Sequence, residues 1–182
     1  MILLPGDFLV TPTHGSGLDR VAGWLIRYGT DSPYNHAALY VGELDGYGKP
    51  QIVEAWPSGA RLADWDSYPN CVWSTGRLPA GLTPTDGQRP RIVSAAIGML
   101  NTPYGWLDLI AISLAQKRLG RSVDGDEWWV RRIADTRTLI CSQLIDAAWL
   151  LGGVHLFEDG RLPGLVSPGD IGRLLTTGQG PG

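Results

Sequence analysis

The chain has 182 residues, of which 43% are hydrophobic and 18% charged, with a formal net charge of −3. That balance fits one globular domain with a core of its own and excludes a disordered chain. The sequence pI is about 5.5 and no basic cluster runs along the chain, which argues against nucleic-acid binding through phosphate neutralisation. Two cysteines, Cys71 and Cys141, are too few to frame a 182-residue chain with disulfides. Together with three scattered histidines they offer no metal-ligand spacing, so no metal and no cofactor is expected.

In chain order, "MILLPGDFLV" lacks a charged n-region and meets Pro5-Gly6 early, so it does not read as a signal peptide. Residues 6–10 read as a short strand. "GLDRVAGWLIRYG" has helical spacing, with Leu18, Val21, Leu25 and Ile26 on one side. "NHAALYVG" is a strand that sets His36, Ala38 and Tyr40 on one face and Ala37, Leu39 and Val41 on the other. Asp45-Gly46 signals a hairpin, "QIVEAW" is the returning strand and "CVWSTGRL" a further one.

A Pro/Gly/Thr-rich linker over 79–90 separates this β-rich part (1–78) from a helical part (91–175), with a loose tail at 176–182. Helices are predicted near 91–100, 105–118, 138–151 and 167–175. The polar segment 119–137 carries Trp128-Trp129, apolar groups that cover or bind something. The longest apolar stretch, "WLDLIAISLA", is half the ~20 residues of a membrane helix and contains Asp108, so no integral membrane segment is expected. The reading is a single α+β domain over 1–182, a small antiparallel sheet packed against helices.

"TRTLICSQLIDAAWLLGG" places Cys141 in the first turn of a helix, with Thr138 as N-cap and Gly152-Gly153 as the stop. A free thiol has a pKa of roughly 8.5, and the thiolate is the nucleophile. A helix N-terminus and a neighbouring histidine both favour that form. Among His14, His36 and His155, His36 is the best candidate base, because it lies on an otherwise apolar strand where polar groups are partnered. A histidine base needs a group that fixes its tautomer. Glu54 on the returning strand would be a direct cross-strand neighbour of His36, with Cβ atoms about 5 Å apart. Each residue taken singly has a plain alternative: Cys141 as a buried thiol, His36 as a satisfied core histidine, Glu54 as a solvated edge charge. Their conjunction in one chain is what points to nucleophilic chemistry. Cys71 and His155 read as structural; His14, in the loop "TPTHGSG", reads as solvent-exposed, with a place at the rim of a cleft, against substrate, as the alternative.

The strand "NHAALYVG", the strand "IVEAW", "TPYGW" before a helix and "LICSQLIDAAW" after it follow the order His, Glu, Cys. With "PGDFLV" near the start and "SPGDI" near the end, this resembles the circularly permuted branch of the NlpC-type papain-like hydrolases, the YiiX-like group, related to lecithin:retinol acyltransferase. The resemblance covers residues 4–175. It implies a permuted papain-like fold with Cys141 as nucleophile, His36 as general base, Glu54 as the orienting residue and Tyr104 in the pocket wall. It also implies an amide in peptidoglycan stem peptides as substrate, hence a cell-wall-derived peptide or acyl partner and a bacterial or phage enzyme. Such an enzyme would be cytoplasmic or phage-delivered and would act at the cell wall. Two other readings stay open: a lipid thioesterase or acyltransferase whose tryptophan-rich segment holds an acyl chain, and a catalytically silent binding or structural module, for instance in a phage particle. The sequence fixes neither the bond cleaved nor the oligomeric state.

Overall fold

A computed structural model describes residues 2–13, 18–44, 46, 48–68, 71–74, 78–79, 81–103, 140–157 and 166–177. Their architecture is α+β, an open five-stranded antiparallel sheet with four helices. The strands are β1 (Phe8–Thr11), β2 (His36–Glu43), β3 (Pro50–Trp56), β4 (Gly59–Asp64) and β5 (Val72–Trp73), and they lie in the order β4-β3-β2-β1-β5. The helices are α1 (Leu18–Thr30), α2 (Arg89–Gly98), α3 (Cys141–Leu151) and α4 (Pro168–Thr177), and a 3-10 turn spans Trp65–Ser67. Helix 105–118, the segment 119–137 and the predicted cap Thr138 lie outside the described residues.

Strand alternation sorts the side chains onto two faces. Phe8, Val10, Ala37, Leu39, Val53 and Ala55 enter the main core with the apolar residues of α2, α3 and α4. Leu9, Ala38, Ile52 and Trp73 form a smaller cluster on the other face, joined by Tyr40 and Tyr68. β1 and β2 pair with Phe8 opposite Leu39 and Thr11 opposite His36. β3 and β4 form a tight hairpin over Pro57-Ser58, with Trp56 opposite Gly59 and Glu54 opposite Arg61. Gly59 has φ +114 and lies where a Cβ would stand 3.0 Å from the Thr102 carbonyl oxygen, so glycine permits both the turn and the contact. There the 101–102 turn covers the β4 end: Ala60 N–H donates to Thr102 O at 2.9 Å and Asn101 N–H to Ala60 O at 2.8 Å.

α3 is the helix that carries the main core. Leu144, Ile145, Ala148 and Trp149 are fully buried, and the Trp149 ring meets Phe8 edge-on at 5.1 Å. Both "PGD" stretches fold as turns closed by their aspartate. Asp7 Oδ2 accepts from Leu4 N–H at 3.0 Å, while Ser167 and Asp170 cap the start of α4 reciprocally, at 2.8 Å and 3.2 Å.

Several boundaries and faces differ from expectation. β4 was not anticipated, the strand over 71–78 reduces to Val72–Trp73, and α2 begins at Arg89, inside the expected linker. Val21 is 55% exposed although the spacing put it on the buried side of its helix. α1 instead packs through Ile26 and its glycines: at Gly23 a Cβ would stand 2.4 Å from Asn35 Nδ2. This close approach turns Val21, Trp24 and Tyr28 outward, with the two aromatic rings stacked at 5.4 Å.

At Gly152, the cap of α3, a Cβ would lie 2.2 Å from Ile92 Cγ1 in α2. Ile92 is fully buried and cannot yield. Gly152→Ala is therefore expected to destabilise the chain by about 1–3 kcal/mol through overpacking, read as a lowered urea midpoint with an unchanged slope.

Candidate active site

His36, the first residue of β2, holds its ring at the strand end, and Cys141 is the first residue of α3. The two ends meet. His36 Nε2 donates to Glu54 Oε2 at 2.7 Å, and the Cys141 sulfur lies close enough to the ring to interact with it electrostatically. Nδ1 is the ring nitrogen that Glu54 does not engage. Cys141 and Glu54 are fully buried and His36 is 4% exposed.

His36 and Glu54 share a face, but they are diagonal neighbours and not directly opposite. Ala38 is the residue across from Glu54, so the expected direct pair is corrected by one two-residue step. A glutamate side chain is long enough to span that diagonal.

The Glu54 carboxylate is saturated. Oε2 also accepts from the Tyr68 hydroxyl at 2.7 Å. Oε1 accepts from Arg61 Nε at 3.0 Å and lies 2.9 Å from Arg61 Nη2. The Arg61 guanidinium stacks 4.5 Å over the Trp56 ring, and Trp56 stands edge-on to the His36 ring at 5.7 Å. Arg61, Tyr68 and Trp56 were not singled out from the sequence. The "WPSGAR" stretch held the signal for one of them: a two-residue loop at Pro57-Ser58 puts Arg61 across from Glu54.

Electrostatics follow from this packing. Burial pulls the His36 imidazole down, but the hydrogen bonds with Cys141 and Glu54, and the charges on both, push it up to about 9 from its ordinary 6.5. Burial raises the Glu54 carboxyl, yet His36 by hydrogen bond and charge, then Tyr68 and Arg61, hold it below its ordinary 4.5. Burial and the charge on Glu54 push the Tyr68 phenol up, so it serves Glu54 as a donor. The His36 contribution to stability is full below about 6.5 and fades as the pH rises through 9. The Glu54 contribution is full above 4.5 and fades as the pH falls through its lowered value.

α3 starts later than the helix expected over 138–151, at Cys141 and not after a Thr138 cap. Ile140 holds the N-cap position in extended backbone, and its N–H donates to Gln143 Oε1 at 3.1 Å. Ser142 Oγ donates to Val166 O at 2.6 Å, which ties the start of α3 to the segment before α4. Cys71 and Cys141 are both free thiols. His14, Tyr104, Trp128 and Trp129 lie outside the described residues. Among the described residues no group of three or more His, Cys, Asp or Glu could hold a metal ion, and no helix is long and apolar enough to cross a membrane.

No family model matches the chain, and no curated protein is significantly similar to it.

NMR titration of the His36 ring should give a midpoint near 9 in the intact chain. In Cys141→Ala the midpoint should fall, because a hydrogen bond and a negative charge that favour imidazolium are gone while burial remains. An unchanged midpoint would show that sulfur and ring do not interact.

Proposed function

We propose that the chain is a cysteine hydrolase of the permuted papain-like kind, acting through an acyl-enzyme. The observation that carries this reading is the buried imidazole of His36, hydrogen-bonded to an ionised Glu54 and near enough to the Cys141 sulfur for the two to influence each other's charge. A thiol packed for apolar reasons alone needs no such neighbour.

In the resting site the thiol proton already sits on His36 Nδ1, and Nε2–H stays on Glu54, which holds the imidazolium. The thiolate adds to the substrate carbonyl carbon, and the carbonyl electron pair moves onto oxygen. Backbone N–H groups at the start of α3, which precede its intrahelical hydrogen bonds, are the donors available to that oxyanion. The tetrahedral adduct collapses, His36 gives its proton to the leaving amine or alcohol, and a thioester on Cys141 remains. Water then attacks the thioester, loses a proton to His36 and releases the acid. The buried sulfur means that substrate admission accompanies an opening of the site.

The substrate class is an acyl compound. The likeness of "NHAALYVG", "IVEAW" and "LICSQLIDAAW" to the NlpC-type group favours the amide of a peptidoglycan stem peptide. Purified protein incubated with stem-peptide fragments and, in parallel, with long-chain acyl esters separates this from the lipid reading by which acid is released.

Reaction of Cys141 with iodoacetamide tests the chemistry before any substrate is known. His36→Ala should slow it by roughly 10²–10⁴-fold, the span typical of an acid–base group, with Cys71 as the internal reference thiol. Labelling of Cys141 that is insensitive to His36→Ala would support a silent module instead.

A further inference from the structure

A fully buried carboxylate is held in place by whatever occupies its lone pairs. Glu54 has four such contacts, and they come from three separate elements. We infer that Tyr68 and Arg61 are positioning residues of this site, clamping the Glu54 carboxylate from two sides so that its Oε2 keeps one fixed direction toward His36. The inference rests on the hydrolase reading, in which that direction matters to catalysis.

The division of labour is visible at the two oxygens. Arg61 approaches Oε1 through both Nε and Nη2, so that one oxygen is held by two charge-assisted contacts while Oε2 is left to His36 and Tyr68. It comes from the residue directly opposite on β4, and its other side is occupied by Trp56. Tyr68, one residue past the 3-10 turn, shares Oε2 with His36, each at 2.7 Å. Its ring also lies against the imidazole, with centroids 5.3 Å apart. The phenol therefore draws charge from the oxygen that holds the base, which a purely packing role would not need.

A plain stabilising role is the weaker account. Arg61 is 44% exposed at its side chain while Glu54 is fully buried, and a buried ion pair contributes little net stability compared with apolar packing of the same volume. Among the described residues, the charged and titratable groups that face Glu54 are His36 from β2, Arg61 from β4 and Tyr68 after the turn, with Cys141 of α3 interacting with the His36 ring. Removing either clamp residue takes away a contact that holds Glu54 in its ionised form.

The test uses the full chain and three readouts: the carboxyl ¹³C titration of Glu54, the pH profile of Cys141 alkylation, and the melting temperature. In Tyr68→Phe and in Arg61→Gln the Glu54 midpoint should rise, and the acid limb of alkylation should move to higher pH with it. The plateau rate should fall by about tenfold, a fraction of what a whole acid–base group contributes. Arg61→Lys should restore the charge but only part of the rate, since an ammonium lacks the planar fork. A fluorotyrosine placed at position 68 alone keeps the shape and strengthens the donor, so it should lower the Glu54 midpoint; this arm stands if Tyr68→Phe fails to fold. Variants that melt earlier with both pH readouts unmoved would overturn the clamp. An unsubstituted chain whose Cys141 labels no faster than a buried thiol overturns the hydrolase reading, and with it the clamp's part in catalysis. Unmoved Glu54 midpoints in a reactive chain overturn the clamp alone.

Discussion

A carboxylate with no exposure to water is the demand around which this end of the sheet is organised. Ionised Glu54 must be met on every lone pair, and the fold meets it with one group from each neighbouring strand and one from the turn beyond β4. The β2–β3 register places His36 within diagonal reach, and the hairpin at Pro57-Ser58 places Arg61 opposite. A slip by one residue at either pairing would turn the partner to the other face of the sheet. Glycine at position 59 and its contact with the 101–102 turn thus serve the site as much as the fold.

Cys141 gains its meaning from that arrangement. It belongs to the main core by burial and neighbours, like any small apolar residue. What sets it apart is its place at the first position of α3, against a ring that Glu54 keeps charged. Negative charge on the sulfur would lie beside an imidazolium and at the positive end of a helix. The ties from Ile140 to Gln143 and from Ser142 to Val166 fix that helix start from both sides. Each acts on the backbone that carries the sulfur, which is why the core holds it in a defined orientation.

The strands that carry His36 and Glu54 were legible because their alternation and the Asp45-Gly46 signal are local properties. The helix beginning at Cys141 was legible from its apolar spacing and its Gly-Gly stop. The direct pairing of His36 with Glu54 was not, because register depends on the irregularity between Tyr40 and Gly42, which no local pattern marks. β4 escaped notice because "GARLAD" shows no alternation, with only Gly59 and Ala60 buried. With β4 went Arg61. Tyr68 was out of reach for a different reason: its position depends on an exposed 3-10 turn with no side-chain cap to announce it. The buried side of α1 was misjudged because glycines make its contact, and a count of apolar residues cannot weigh them. The permuted papain-like assignment stays a reading of motifs and their order.

The hairpin carries one further implication, for assembly during synthesis. His36, Arg61 and Tyr68 reach Glu54 across 18, 7 and 14 residues of chain, whereas the sulfur belongs to a helix more than a hundred residues beyond His36. Short loops close first. A nascent chain would hold His36, Glu54, Arg61 and Tyr68 together before Cys141 has emerged, and the sulfur would join them only when the last part of the core locks.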